Sequence, residues 1–322
     1  MNERGRDVLS EEARHAPGGA RSPLDISARG WAATLTRTVR EIVNDRITIT
    51  AAGVAFYWFL SVFPMMFAAV SLLGLLNASP EFIASVNQTI NDIAPTDAAR
   101  ILTDAVASAQ TRAGSDGTLV SAVVAIALAL WSASSGMSAT QVGLDVAYDV
   151  EDDRTFFKKR LMGLVLLLAA FVLGGTAIGL VVLGTPIEDF VHDHIGTARV
   201  FDWAFAVVRW AIAIAAVTTL IALFYYIGPN RKPPNWRWIS PGGVLATVLW
   251  FLASLGFCVY LSRFGGSYDE SYGALAGVVI LLLWLFLTAL ATLVGAELNG
   301  ELERQRAMTA PRATERQPAV TS

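Results

Sequence analysis

The stretch AFYWFLSVFP, residues 55–64, lies inside an apolar run from Ile47 to Leu76 that carries no Asp, Glu, Lys or Arg. The run exceeds the ~20 apolar residues that a helix needs to cross a bilayer. It reads as a membrane span, long enough to tilt or to begin in the interface. Yet a bare span needs neither a proline nor a hydroxyl one turn before it. Pro64 has no N–H for the carbonyl of Leu60, which bends or kinks the helix. Ser61 can bond back to a carbonyl near the break and satisfy backbone in lipid. Phe56, Tyr57 and Phe63 offer flat apolar surfaces that suit acyl chains better than ions. Two readings stay open: a fixed kink that only shapes packing, or a hinge and cavity wall, since broken helices line many transport paths.

Outward from this run, five more spans follow at about 118–135, 161–184, 203–227, 241–261 and 273–297. The fold class expected is therefore all-α, a polytopic membrane protein of six transmembrane helices. Composition agrees. Of 322 residues 54% are apolar and 16% charged, with mean hydropathy +0.51, against about a quarter charged in soluble domains. The net charge of −3 leaves no footprint for nucleic acid. The single cysteine, Cys258, excludes an intramolecular disulfide and reads as a buried, inert thiol in an apolar run.

The loops orient the spans. Nineteen Lys and Arg fall in the leading segment, the second and fourth loops and the final segment, against four in the other three loops; Arg209 alone lies within a span. By the positive-inside rule the first group is cytoplasmic, and so are both termini. The outer loops are acidic. No apolar core follows the early charges as a signal peptide requires. Residues 1–30 and 304–322 read as disordered cytoplasmic tails flanking a membrane domain at 31–303.

Two further segments are amphipathic. Trp31, Leu35, Val39 and Ile42 recur at steps of four, four and three. They predict an N-terminal interfacial helix, its apolar face toward lipid or toward the protein's own inner surface. In the first outer loop, Phe82, Val86 and Ile90 stripe one short helix and Ile101, Leu102, Ala105 and Val106 another, separated by Pro95. This loop could cap the bundle or meet a partner. Ser240–Pro241 is a good helix start. GTAIG at 175–179 and GALAG at 273–277 are small-residue patterns that let helices approach closely.

Several motifs together carry a resemblance. They are AFYWFLSVFP, LWSASSGMSATQVGLDVAYDVEDDRTFFKKRL (130–161), FYYIGPNRK with WISPGG (224–243), VYLSRFGGSYDESYGALAGVVILLLWLFLTAL (259–290) and LVGAELNGELE (293–303). In this order the chain resembles the YihY/virulence factor BrkB family of bacterial inner-membrane proteins over roughly residues 35–303. The resemblance implies six membrane helices with cytoplasmic termini. Members have carried the label ribonuclease BN, and the family has been discussed as a transporter of lipids or other amphipathic cargo.

A hydrolytic ribonuclease needs a metal cluster or an acid–base pair and an electropositive surface. Of three histidines, His15 is in the leading tail, and His192 and His194 flank Asp193 in a short outer loop away from cytoplasmic RNA. No phosphate-binding loop or nucleophile elbow appears. No catalytic residues, metal or cofactor are expected.

The polar residues near the spans carry the remaining candidates. Asp145 and Asp149 share a helix face by the four-residue step, as a solvated helix end or the polar mouth of a cavity. Glu297 and Asn299 lie at the inner boundary of the last span, where an ionisable residue either carries function or reaches water or an Arg of a neighbouring loop as a structural pair. Arg209, about two turns into the fourth span, either snorkels outward or faces the bundle to meet an anionic headgroup. Arg231, Lys232 and Arg237, with Trp236 and Trp238, read as a topology signal or as lipid-headgroup contacts. SYDESYG, residues 266–273 less its leading glycine, either gates an outer opening or turns the chain. The function expected is translocation of lipid or other amphipathic cargo. The alternative is a scaffold or assembly factor that meets an extracytoplasmic protein partner through its outer loop. Partners expected are membrane lipids and further copies of the chain, with no nucleic acid.

Overall fold

A computed structural model describes residues 22–75, 84, 88, 103, 118–151, 154–177, 179–180, 199–231, 240–272 and 275–309. These residues form helices and no strand. A short turn at Pro23–Asp25 precedes seven helices: α1 (Ala28–Asn44), α2 (Ile47–Leu75), α3 (Thr118–Ala147), α4 (from Phe156), α5 (Arg199–Ile227), α6 (Ser240–Tyr272) and α7 (Ala276–Thr309). Four of them are long and apolar enough to cross a membrane: Phe156–Ala177, Trp203–Ile227, Pro241–Arg263 and Ala276–Arg306. The short helices expected in the first outer loop, and His192 and His194, lie outside the described residues.

Local chemistry sets the leading elements. Ser22 and Asp25 cap one another's backbone, with Leu24 N donating to Ser22 Oγ and Ser22 N to Asp25 Oδ2. Ser27 accepts from Gly30 N and starts α1. Arg46, at φ 51°, turns the chain sharply from α1 into α2. α1 meets α7 through Thr34 and Thr38, both buried, while Leu35, Val39 and Val43 are exposed. The apolar stripe read from the sequence is thus split. Trp31 and Ile42 pack onto the bundle, and Leu35 and Val39 of the same stripe face outward.

α7 is central, touching α1, α2, α3 and α6. α2 and α3 run side by side in opposite directions, as three successive contacts show. Ser61 Oγ donates to Ser132 O, Trp58 Nε1 donates to Thr140 Oγ1, and Val54 meets Gly143. α6 and α7 come closest at two glycines. A Cβ on Gly295 would lie 2.5 Å from the Gly242 carbonyl and 2.5 Å from the Tyr225 hydroxyl. The GTAIG glycines differ: a Cβ on Gly175 or Gly179 would meet nothing within 4 Å. Close approach between α4 and α5 falls instead on alanines, Ala177 against Ala213 and Ala216. α4 also widens into a π turn at Ala170–Gly174. Cys258 is exposed on α6, not buried as its apolar neighbours suggested, because the outer faces of these helices are themselves apolar.

Candidate functional site

Among the described residues the ion pairs of the bundle collect at one end. The sequence ELNGELERQ, 297–305, explains how α7 organises them. Residues four apart share a helix face. Glu297, Glu301 and Gln305 form one edge, and Asn299 and Glu303 another.

The first edge meets α1 and the end of α3. Arg37 Nε donates to Glu301 Oε2 at 2.5 Å, and its Nη2 to Gln305 Oε1 at 2.8 Å. Arg304 Nη1 reaches the other Glu301 oxygen at 2.6 Å, and its Nη2 donates to Asp149 Oδ2 at 2.5 Å. The Glu301 carboxylate, 3% exposed, is therefore held between two guanidinium groups, the arrangement that makes a buried charge tolerable. Glu297, one turn earlier, is equally buried at 3%. Its Oε1 has no hydrogen-bond partner, and the carboxylates of Asp45, Asp149, Glu301 and Glu41 act on it from the turn after α1, the turn after α3, α7 itself and α1.

The second edge meets α6 and the segment after α5. Asn299 Oδ1 accepts from Gly242 N at 2.8 Å. Arg231 donates to Glu303 Oε2 at 2.8 Å and lies 4.0 Å from the centroid of the Tyr148 ring. Burial pushes the Tyr148 phenol above its usual range, so the ring stays a neutral platform beneath the cation. Tyr225, fully buried, donates from its hydroxyl to Thr292 O.

A third cluster closes the end of α5. The last carbonyls of a helix lack intrahelical donors and carry the negative end of its dipole. Arg154 donates to one of these, Ile227 O at 3.0 Å, and to the two carbonyls that follow, Gly228 O at 2.6 Å and Pro229 O at 2.8 Å. It also donates to Gln141 Oε1. Gln141 in turn donates to Lys159 O, and Asp145 Oδ1 accepts from Asn230 N at 2.7 Å. Four segments rich in Lys and Arg, far apart in sequence, thus share one end of the bundle.

The other expected residues sit as follows. Asp145 is buried, but Asp149 does not share its helical face, because α3 ends at Ala147 and Asp149 takes φ 52°. Ser61 is buried and its Oγ donates to Tyr57 O as well as to Ser132 O. Phe56 and Tyr57 are exposed and meet edge to face on the outside of α2. The α2 backbone is helical through Pro64, whose side chain, like Lys232 and Arg237, lies outside the described residues. Arg209 is half-buried within α5. Arg231 is engaged with Glu303 and Tyr148. Sequence reading missed Arg37, Arg154, Glu301 and Glu303. In sequence Arg37 reads as a headgroup-facing arginine of the interfacial helix, and Arg154 as a topology charge. Among the described residues no group of three or more His, Cys, Asp or Glu is placed to hold a metal.

Residues 38–320 match the model of the family described as Virulence factor BrkB. The chain is 31% identical over 256 residues to the ribonuclease-like protein YfkH of Bacillus subtilis (strain 168), covering 80% of this chain and 90% of that one. It is 28% identical over 283 residues to a UPF0761 membrane protein of Vibrio vulnificus (strain YJ016), covering 87% and 85%. A UPF0761 membrane protein of Alteromonas mediterranea is 26% identical over 279 residues, covering 85% and 90%. No solved structure matches the chain. With four apolar helices of spanning length and a family match over most of its residues, this chain is an integral membrane protein of the BrkB family.

Proposed function

We propose that this protein translocates lipid or another amphipathic molecule across the bacterial inner membrane, without catalysing a covalent reaction. α2 and α3 have 29 and 30 residues, each about 45 Å long at 1.5 Å per residue. With the four long apolar helices they supply six crossings. The positive-inside bias then puts the polar end of the bundle and both termini in the cytoplasm. α1 lies at the inner surface, with Leu35, Val39 and Val43 toward lipid.

The observation that carries this reading is Glu297. A carboxyl buried to 3% exposure with an unpartnered oxygen contributes nothing obvious to stability, since an unsatisfied buried polar group costs free energy. It sits inside a layer of ion pairs that joins α1, α3 and α7. In the proposed cycle this layer is the closed inner gate. Breaking the pairs of Arg37 and Arg304 opens it, and Glu297 takes up or releases a proton as it does. The spans suit apolar cargo because they are aromatic and nearly free of charge.

The test is movement of fluorescent phospholipid in proteoliposomes holding the full-length chain. Protein-dependent movement is expected. Glu297→Gln, which keeps the shape and removes the titratable group, should slow it about tenfold, a barrier change of ~1.4 kcal/mol. Absence of movement with phospholipids and lipid A-type precursors sinks the translocator reading and leaves the scaffold alternative. Movement at the native rate in Glu297→Gln removes Glu297 from the cycle.

A further inference from the structure

Arg160 is a cation that, among the described residues, has no carboxylate beside it. Arg160 lies one turn into the apolar helix that begins at Phe156, and it is half-buried between α3 and α4. Its hydrogen bonds all leave from Nη1, to Ser135 Oγ at 2.6 Å, Ser134 Oγ at 2.9 Å and Trp131 O at 3.2 Å. Among the described residues no acidic side chain pairs with it, whereas Arg37, Arg231 and Arg304 each hold one. Its guanidinium is 4.8 Å from the Trp131 ring centroid and 5.5 Å from that of Phe156. Those rings are 53% and 55% exposed. A charged group at membrane depth wants an opposite charge, and here the described residues supply two hydroxyls, one carbonyl and two rings.

The surroundings say what the missing partner is. Toward the membrane, α4 carries an exposed stripe of Phe157, Leu161, Leu164, Leu168 and Phe171, at steps of four, three, four and three. That stripe lies along the lipid-facing side of one helix. Toward water, Lys158 is exposed beside the site. Trp131 and Phe156 flank the cation, and aromatic side chains favour the headgroup level of a bilayer. Anion-binding groups above an acyl-compatible face match one kind of molecule.

We propose that Arg160 binds the phosphate of an anionic glycerophospholipid, through its free Nη2 and Nε edge with Ser135 alongside, while the lipid's acyl chains lie on the α4 stripe. A guanidinium presents a planar fork that matches phosphate oxygens. The site needs no movement of lipid. A chain that fails the translocation test and passes the one below is a lipid-binding protein that does not transport.

The test is native mass spectrometry of the full-length chain in detergent, titrated with phosphatidylglycerol and with phosphatidylcholine of the same acyl chains. Phosphatidylglycerol should be retained in preference. Arg160→Gln should lower that retention about tenfold, or ~1.4 kcal/mol, and Lys158→Glu, on an exposed side chain beside the site, should lower it severalfold. Arg40→Gln, an exposed arginine on α1, should leave it unchanged. Equal retention of the two lipids overturns the proposal, as does an equal loss in Arg40→Gln. If Arg160→Gln does not fold, Lys158→Glu decides, and native retention there overturns the proposal. Displacement of the lipid by millimolar inorganic phosphate would make free phosphate the occupant instead and likewise overturn it.

Discussion

The two ends of the same helices follow opposite rules. At the polar end, Gln141, Asn299, Glu301 and Thr34 are almost wholly buried. Along the flank, Phe171, Trp203, Leu168 and Val208 are more than half exposed. In water this arrangement would be inside out. In a bilayer it is coherent, because lipid is as apolar as leucine and the hydrophobic effect does not drive one helix against another. Apolar flanks keep the chain in the membrane. Helix is held to helix by small residues that allow backbones to touch and by polar groups that bond across. The ledger of stability should therefore sit at the polar end and at the glycine crossing, and be nearly blank on the flank.

The largest effect is expected at Gly242. A Cβ there runs into the carbonyl of Gly295 and the side-chain amide of Asn299, backbone against backbone with no flexible group to yield. Gly242→Ala should cost ~3 kcal/mol, the upper part of the range for overpacking. Gly175→Ala is the counterpart, since its Cβ meets nothing within 4 Å. It should be neutral or slightly stabilising through helix propensity. Thermal unfolding of the two purified variants in detergent reads the difference. A native midpoint for Gly242→Ala would mean that α6 and α7 do not touch there.

Next is Arg154. It satisfies three carbonyls at the end of α5 and one amide oxygen of α3. Arg154→Ala leaves those acceptors unbonded and should cost ~2–4 kcal/mol. Arg154→Lys should recover only part, because an ammonium cannot span the same fork of acceptors. The loss should be local. Amide exchange in residues 227–231 should rise before the rest of the bundle loosens. Full recovery by lysine would show that charge alone, and not the planar fork, holds the end of α5.

The contrast also separates what the sequence made legible from what it hid. Apolar runs announce membrane helices because the bilayer demands ~20 such residues wherever the chain crosses. That requirement is local, so Trp203–Ile227 reads directly as a span. Partners are not local. Arg37 and Glu301 are 264 residues apart, and nothing near either announces the other. Arg154 looked like a topology charge because a loop arginine usually is one; only the fold brings the end of α5 beneath it. The four-residue step from Asp145 to Asp149 failed for a different reason. It assumes a continuing helix, and α3 ends at Ala147. In GTAIG the contact falls on Ala177 and not on the glycines, because small residues permit a close approach without fixing which of them makes it. The glycines that do touch, Gly242 and Gly295, have no pattern between them in sequence.

The smallest effect is expected on the flank, and it is the most informative about surroundings. Leu168 is 64% exposed on α4. In a soluble protein an outward leucine is simply tolerated. Here it is assigned to lipid, and Leu168→Ala should change stability by less than ~0.5 kcal/mol, because alanine and leucine on that face both contact acyl chains rather than protein. The same substitution would cost several times more if another copy of the chain covered the face, since it would then open a cavity between close-packed helices. Thermal unfolding together with the mass of the detergent-solubilised particle distinguishes the two. A near-zero change at constant mass leaves the flank to lipid, and a loss above ~1 kcal/mol with a smaller particle would place a second protomer there.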